Sequence, residues 1–163
     1  MANSAPDFFK ILQILAEHEV DFIVVGGICA VLHGAPVSTF DLDIVHSRAP
    51  ENIRHLISAL NQMDACYRGR GDQRLVPDSY HLVSTGHHLL MTTYGPLDVL
   101  GTIGSGRDYE GLFGHSEEII VDDLQLRLLD LENLIMVKEE TASAKDQVVI
   151  PILRQTLKEK QKP

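Results

Sequence analysis

Asp41 and Asp43 lie one residue apart in the run Phe40-Asp41-Leu42-Asp43-Ile44-Val45, a short way after a double glycine, Gly26-Gly27. The run alternates, so a strand through it points both carboxylates to one face and sends Leu42 and Ile44 into the core. Two carboxylates on one face repel each other unless a cation lies between them. Hard oxygen donors at this spacing suit Mg2+ or Mn2+, held together with substrate phosphates and water. Asp98 is the expected third carboxylate. It belongs to Leu97-Asp98-Val99-Leu100, which follows the turn Tyr94-Gly95-Pro96 as the return strand of a hairpin begun near Leu89. The glycine pair ends the β-branched and aromatic run Asp21-Phe22-Ile23-Val24-Val25, and a short helix is expected over Ile28 to His33. Glycines let backbone N–H groups approach an anion, and a helix starting there aims its free N–H groups at the turn, a natural phosphate site.

Each of these residues also has an ordinary reading. A glycine pair alone is a tight turn far more often than a phosphate site. Two aspartates could be the solvated face of an edge strand, yet Asp is depleted in strands, so its use twice beside Gly-Gly favours chemistry. Asp98 lies near a hairpin turn, where Asp is common. Thr39 reads either as a plain β-branched strand residue or as a phosphate or backbone contact. His81, His87 and His88 surround Ser84-Thr85-Gly86, which reads as a hairpin loop carrying exposed or partly packed histidines, not metal ligands.

The elements that must position these groups follow from periodicity. Pro6 to Glu19 reads as an amphipathic helix with Phe8, Ile11, Leu12 and Leu15 on one face. Pro50 to Gln62 reads as another, with Ile53, Leu56, Ile57 and Leu60 inward and Ser47 or Pro50 marking its start. Asp122-Asp123 marks a turn between short strands at Glu118 to Val121 and Leu124 to Leu126. Helices follow from about Asp130 to Lys160, with Pro151 expected to kink or break them. This order predicts an α/β (α+β) fold, a mixed β-sheet with helices packed on it and helices at the C-terminus.

The chain has 163 residues, enough to bury roughly 70% of its unfolded surface in one domain spanning 1–163 without disulfide or structural metal. Within it, residues of about 20–129 form the expected core and about 130–160 the C-terminal helical part. No apolar run approaches 18 residues and no signal peptide opens the chain, so a cytoplasmic protein without membrane contact is expected. Cys29 and Cys66 have no metal-ligand or redox spacing and fit reduced thiols, with Cys29 packed inside its helix. With 14 basic and 23 acidic residues the net charge is −9, which disfavours tight nonspecific nucleic-acid binding. The basic tail LKEKQKP reads as a solvated, frayed helix end.

The order strand, Gly-Gly, helix, then Thr-x-Asp-x-Asp resembles the nucleotidyltransferase superfamily of the DNA polymerase beta type, and within it the small bacterial AbiEii-like proteins. Gly26, Gly27, Thr39, Asp41 and Asp43 carry the resemblance, which spans residues of about 20 to 150. It implies a nucleotidyltransferase-like fold and transfer of an NMP from an NTP to an acceptor hydroxyl. Asp41, Asp43 and Asp98 would hold Mg2+, or Asp98 would act as base; Gly26, Gly27 and Thr39 would contact nucleotide. The stretch LLDLENLIMVKEETASAKD is similar to the family's closing helices, whose Lys and following Asp return to the site and fall here on Lys138 and Asp146. Without the resemblance these two are ordinary helix charges or a salt bridge.

Two family arginines are missing: Val37 stands four residues before the first aspartate and Ser143 five after the helical lysine. Arg68, Arg70 and Arg74 could substitute, from the segment 66–79 that has no family counterpart. The acceptor stays open among a tRNA end, a protein hydroxyl and a small molecule. A second reading is a catalytically weak nucleotide- or partner-binding module of a toxin-antitoxin pair, with a small helical partner protein. A third is a generic α/β domain for a phosphorylated metabolite.

Overall fold

The computed structural model describes residues 5–141 and 143–163. Its frame is one mixed sheet of seven strands: β1 Phe22–Val25, β2 Leu42–His46, β3 Cys66–Tyr67, β4 His87–Thr92, β5 Gly95–Leu100, β6 Ser116–Val121 and β7 Leu124–Leu129. The spatial order is β3-β4-β5-β2-β1-β7-β6. β1 and β2 run antiparallel, whereas β2 with β5 and β1 with β7 run parallel. The central strands are those with continuous apolar runs: all of β1 is buried, and in β2 only Asp43 is not. Strand β4 alternates instead, burying His88, Leu90 and Thr92 while His87, Leu89 and Met91 stay exposed, as expected of a sheet region with one open face.

Seven helices complete the described fold: α1 Phe8–Glu17, α2 Gly26–Leu32, α3 Pro50–Gln62, α4 Ser79–Leu82, α5 Tyr109–Phe113, α6 Leu131–Thr141 and α7 Ala144–Gln161. Asp7 caps α1 by accepting from the Lys10 N–H at 3.0 Å, and Ile11, Leu12, Ile14 and Leu15 bury its inner face. Helix α3 spans the expected bounds, with Pro50 in its first turn. Its inner face includes Asn52 where the apolar pattern puts only aliphatics. That amide is satisfied by accepting from the Asp21 N–H at 2.7 Å and donating to the Ser47 carbonyl at 2.8 Å. Ile57, expected inward, is half-buried.

Asp122 and Asp123 both have positive φ, 49° and 68°, the signature of a type I′ turn, so β6 and β7 form a tight hairpin longer than the sequence implied. Three expectations need correction. The C-terminal break falls before Ser143 and not at Pro151, which lies inside α7. Ser143 there accepts from the Asp146 N–H at 3.1 Å, and Asp146 answers the Ser143 N–H, a capping box that starts a new helix. Ser84 to Gly86 links α4 to β4 and does not join two strands, so His87 and His88 open a strand. The basic tail is solvated as expected but not frayed, because α7 continues to Gln161 and Lys160 Nζ lies 2.7 Å from the ring Nδ1 of buried His33. Cys29 is buried as expected, its thiol facing the Leu129 carbonyl at 3.2 Å, and burial pushes that thiol up well beyond its ordinary range. No helix among the described residues is long and apolar enough to cross a membrane.

Candidate active site

The sheet register brings the aspartates together. Asp43 on β2 has Val25 as its partner on one side and Asp98 of β5 on the other, in parallel register. Paired residues of neighbouring strands face the same side, so the two carboxyls must meet. Asp41 precedes β2 and still converges: one ligand oxygen from each of Asp41, Asp43 and Asp98 lies within 4.8 Å of the others. No other group of three or more His, Cys, Asp or Glu residues gathers this way among the described residues, and His81, His87 and His88 do not join. His88 instead makes a polar network, with the Tyr67 hydroxyl 2.9 Å from Nδ1 and Ser84 Oγ 3.3 Å from Nε2. Burial, then the neighbouring His46, His81 and His87, pulls its pKa down to about 4, so it is neutral at physiological pH.

The glycines earn their places sterically. Gly26 has φ +68°, and a Cβ there would collide with the Asp43 carboxylate. A Cβ on Gly27 would run into the Thr39 side chain. The turn therefore lies directly against the carboxylate that follows it in space. Thr39 donates its hydroxyl to the Asp41 carbonyl at 3.0 Å, a backbone contact that holds the approach to β2, and its side chain also lines the cleft described below.

The electrostatics are strained in one direction. Burial first, then the charges of Asp41 and Asp98, raises the Asp43 pKa to about 8, with Lys138 opposing. Asp98 is raised too, again chiefly by burial, although Arg68 works against it. In the metal-free molecule the Asp43 carboxyl is therefore mostly protonated near neutral pH. Asp43 Oδ1 is buried without any hydrogen-bond partner. A buried carboxylate oxygen left unsatisfied is costly, and a cation is the natural partner for it. The donors are all hard oxygens, so this set fits a divalent cation such as Mg2+.

Lys138 and Asp146 return to the same place. A cleft of about 220 Å³ is lined by Gly27, Val37, Thr39, Asp41, Asp43, Lys138, Lys145 and Asp146 among others. A second, of about 160 Å³, shares Asp43, Lys138 and Asp146 and adds Gly26, His87 and apolar residues of α6. Lys138 Nζ lies 3.4 Å from Asp146 Oδ1, and Asp146 also accepts from the hydroxyls of Thr141 at 2.7 Å and Ser143 at 2.8 Å. Against the effect of burial, these hydrogen bonds and the Lys138 charge hold the Asp146 carboxyl below its usual range. Ser143 is thus a helix cap. Val37 lines the cleft as expected from its position.

Lys145 is a site residue that the sequence did not single out: it stays exposed yet lines the cleft from the first turn of α7. Arg68 was expected only as one of three arginines that could substitute for the missing pair, with no place assigned to it. It donates to Asp98 Oδ1 at 2.8 Å, whereas Arg74 pairs with Asp64 at 2.9 Å, away from the aspartates.

This mixed sheet, with helices closing the C-terminal side, has the fold of solved nucleotidyltransferase structures. The chain is similar over 91% of its length to the lincosamide antibiotic adenylyltransferase LnuA in its lincomycin-bound form, with a TM-score of 0.62, 15% identity and 95% of that chain covered. A Thermotoga maritima protein described as a nucleotidyltransferase gives a TM-score of 0.58 at 17% identity, over 93% of this chain and 91% of its own. The antibiotic-resistance factor ANT(2'')-Ia gives 0.60 at 14% identity, over 92% and 82%. No family model matches the sequence, and no curated protein matches it.

Proposed function

We propose that this chain is a metal-dependent nucleotidyltransferase that moves a nucleoside monophosphate from an NTP to an acceptor hydroxyl. The observation that carries this reading is the convergence of Asp41, Asp43 and Asp98 around a buried, unpartnered Asp43 oxygen, pressed against the Gly26 turn. Asp41 and Asp43 would hold Mg2+, or Mn2+, which when bound supplies the positive charge that a polyphosphate and a leaving pyrophosphate need. The backbone N–H groups at Gly26 and Gly27 seat the outer phosphates, with Thr39 keeping the neighbouring loop in place. Lys138 and Lys145 line the same cleft and offset phosphate charge, and Asp146 orients Lys138.

In the transfer, the acceptor oxygen bonds to the α-phosphorus, the bond from that phosphorus to the β-phosphate oxygen breaks, and the acceptor proton passes to a carboxylate oxygen of Asp98. Burial that raises the proton affinity of Asp98 suits it to that task. The neighbours LnuA and ANT(2'')-Ia are antibiotic-linked, which supports the small-molecule hydroxyl among the three acceptor classes, beside a tRNA end and a protein side chain. A cytoplasmic location agrees with the two free thiols. Calorimetric titration of Mg·NTP into wild type and Asp43→Asn, followed by a label-transfer assay from α-labelled NTP, tests the reading. Binding by wild type alone supports it, and equal or absent binding in both refutes it.

One observation favours a second reading. Val37 places an aliphatic side chain in the nucleotide cleft where a family arginine would stand, which fits a catalytically weak member of an AbiEii-like toxin-antitoxin pair working through a small helical partner. Metal-dependent nucleotide binding without turnover is its expected signature.

A further inference from the structure

Arg68 lies one residue beyond the two-residue strand β3. Its backbone N–H donates to the Leu89 carbonyl at 2.9 Å, fixing the chain at that point to β4. From there Nη1 donates to the Leu90 carbonyl at 2.7 Å and Nη2 to Asp98 Oδ1 at 2.8 Å. The side chain is 27% exposed and its Asp98 partner 13%. A guanidinium clamped between a strand carbonyl and a sheltered carboxylate is a fixed charge, unlike a surface arginine free to swing.

We propose that Arg68 is the built-in second cation of this site, so that Asp98 is neutralised by the chain itself and the carboxylates take up a single divalent cation, at Asp41 and Asp43. This rests on the nucleotidyltransferase reading and goes beyond it. Once a metal has displaced the Asp43 proton, Asp41, Asp43 and Asp98 carry three negative charges; Arg68 offsets one, and one divalent cation balances the other two. A second divalent cation on Asp98 has to displace a charge-assisted hydrogen bond of 2.8 Å or sit against the guanidinium's own positive charge in a half-buried site, where such repulsion is poorly screened. Asp98 then keeps its proton-accepting role without serving as a metal ligand. Arg68 is a positioning residue: it acts on the reaction through Asp98.

The test is equilibrium dialysis of Mn2+ against the full chain loaded with a non-hydrolysable ATP analogue at about pH 8.5, with EPR of the bound ion. Wild type is expected to hold one Mn2+ per chain with the spectrum of an isolated ion. Arg68→Gln is expected to hold two, and Arg68→Lys, which restores the charge, one. A merely structural role for Arg68 leaves the metal count unchanged in folded Arg68→Gln and so overturns the proposal. Two ions, or a spin-coupled pair, in wild type overturn it while leaving the nucleotidyltransferase reading intact, and this outcome needs no variant to fold. No Mn2+ binding in any variant overturns both.

Discussion

Replacing Asp43 with asparagine should stabilise the metal-free protein, and increasingly so as pH rises. In the folded state the Asp43 pKa is raised from 3.8 to about 8, first by burial and then by the charges of Asp41 and Asp98. Below pH 3.8 both folded and unfolded chains hold the proton, and the group adds nothing to the pH dependence. Between pH 3.8 and about 8 the folded chain keeps the proton and the unfolded chain does not, so this contribution to stability falls with each unit of pH. Above about pH 8 both are ionised and the slope vanishes. At about 1.4 kcal/mol per unit over about 4 units, the ceiling is about 6 kcal/mol, and water reaching the open cleft lowers it to a few. Asparagine is neutral throughout and keeps a donor for Asp98. For a chain of this size a few kcal/mol corresponds to a Tm difference on the order of 10 °C. Urea unfolding and thermal melts of wild type and Asp43→Asn in chelator, from about pH 5 to 9, measure it. The gap should open with pH and level off near pH 8. A gap that ignores pH, or a variant less stable at pH 8, would show that the carboxyl is not held protonated in a crowded acidic cluster.

Metal affinity should follow the same proton. Mn2+ must displace it, so apparent affinity should climb by up to about tenfold per pH unit and plateau above about pH 8, with proton release seen by calorimetry in buffers of different ionisation enthalpy. Gly26→Ala should cost about 1–3 kcal/mol by urea unfolding and abolish nucleotide binding, because φ +68° and the Asp43 carboxylate leave no room for a Cβ. Val37→Arg should tighten Mg·NTP binding roughly tenfold to a hundredfold by a charge-assisted phosphate contact; unchanged affinity in a folded variant counts against the cleft being the nucleotide site. Ser143→Ala should lower stability by about 1 kcal/mol through loss of the α7 cap, a few degrees in Tm, without changing metal affinity by much.

The carboxylate pair and the glycine turn were legible because both are local. A period-two run, a glycine pair and a hairpin signal mark Asp41, Asp43, Asp98 and Gly26 locally, while their meeting depends on the pairing of β2 with β5 and β1. Pro50 marked the start of α3 for the same reason. Asp146 and Lys138 were reached through the family pattern, since a lysine and an aspartate eight residues apart carry no spacing signal of their own. What stayed hidden is nonlocal. Arg68 finds Asp98 only because a two-residue strand pairs with β4, and nothing in its own neighbourhood encodes that register. Lys145 lines the cleft only because α7 begins beside it, a placement nothing in its own neighbourhood encodes. The helix break at Ser143 was readable, however: Ser143-Ala144-Lys145-Asp146 is a capping-box pattern, and the nearby Pro151 drew attention from it.

The most direct test is an anomalous-difference map from crystals of the full chain soaked with Mn2+ and a non-hydrolysable ATP analogue near pH 8.5. The reading predicts a manganese peak ligated by Asp41 and Asp43, with the phosphates of the analogue against Gly26 and Gly27. A nucleotide bound elsewhere, or carboxylates that stay empty while Mn2+ is bound at another place, would contradict it.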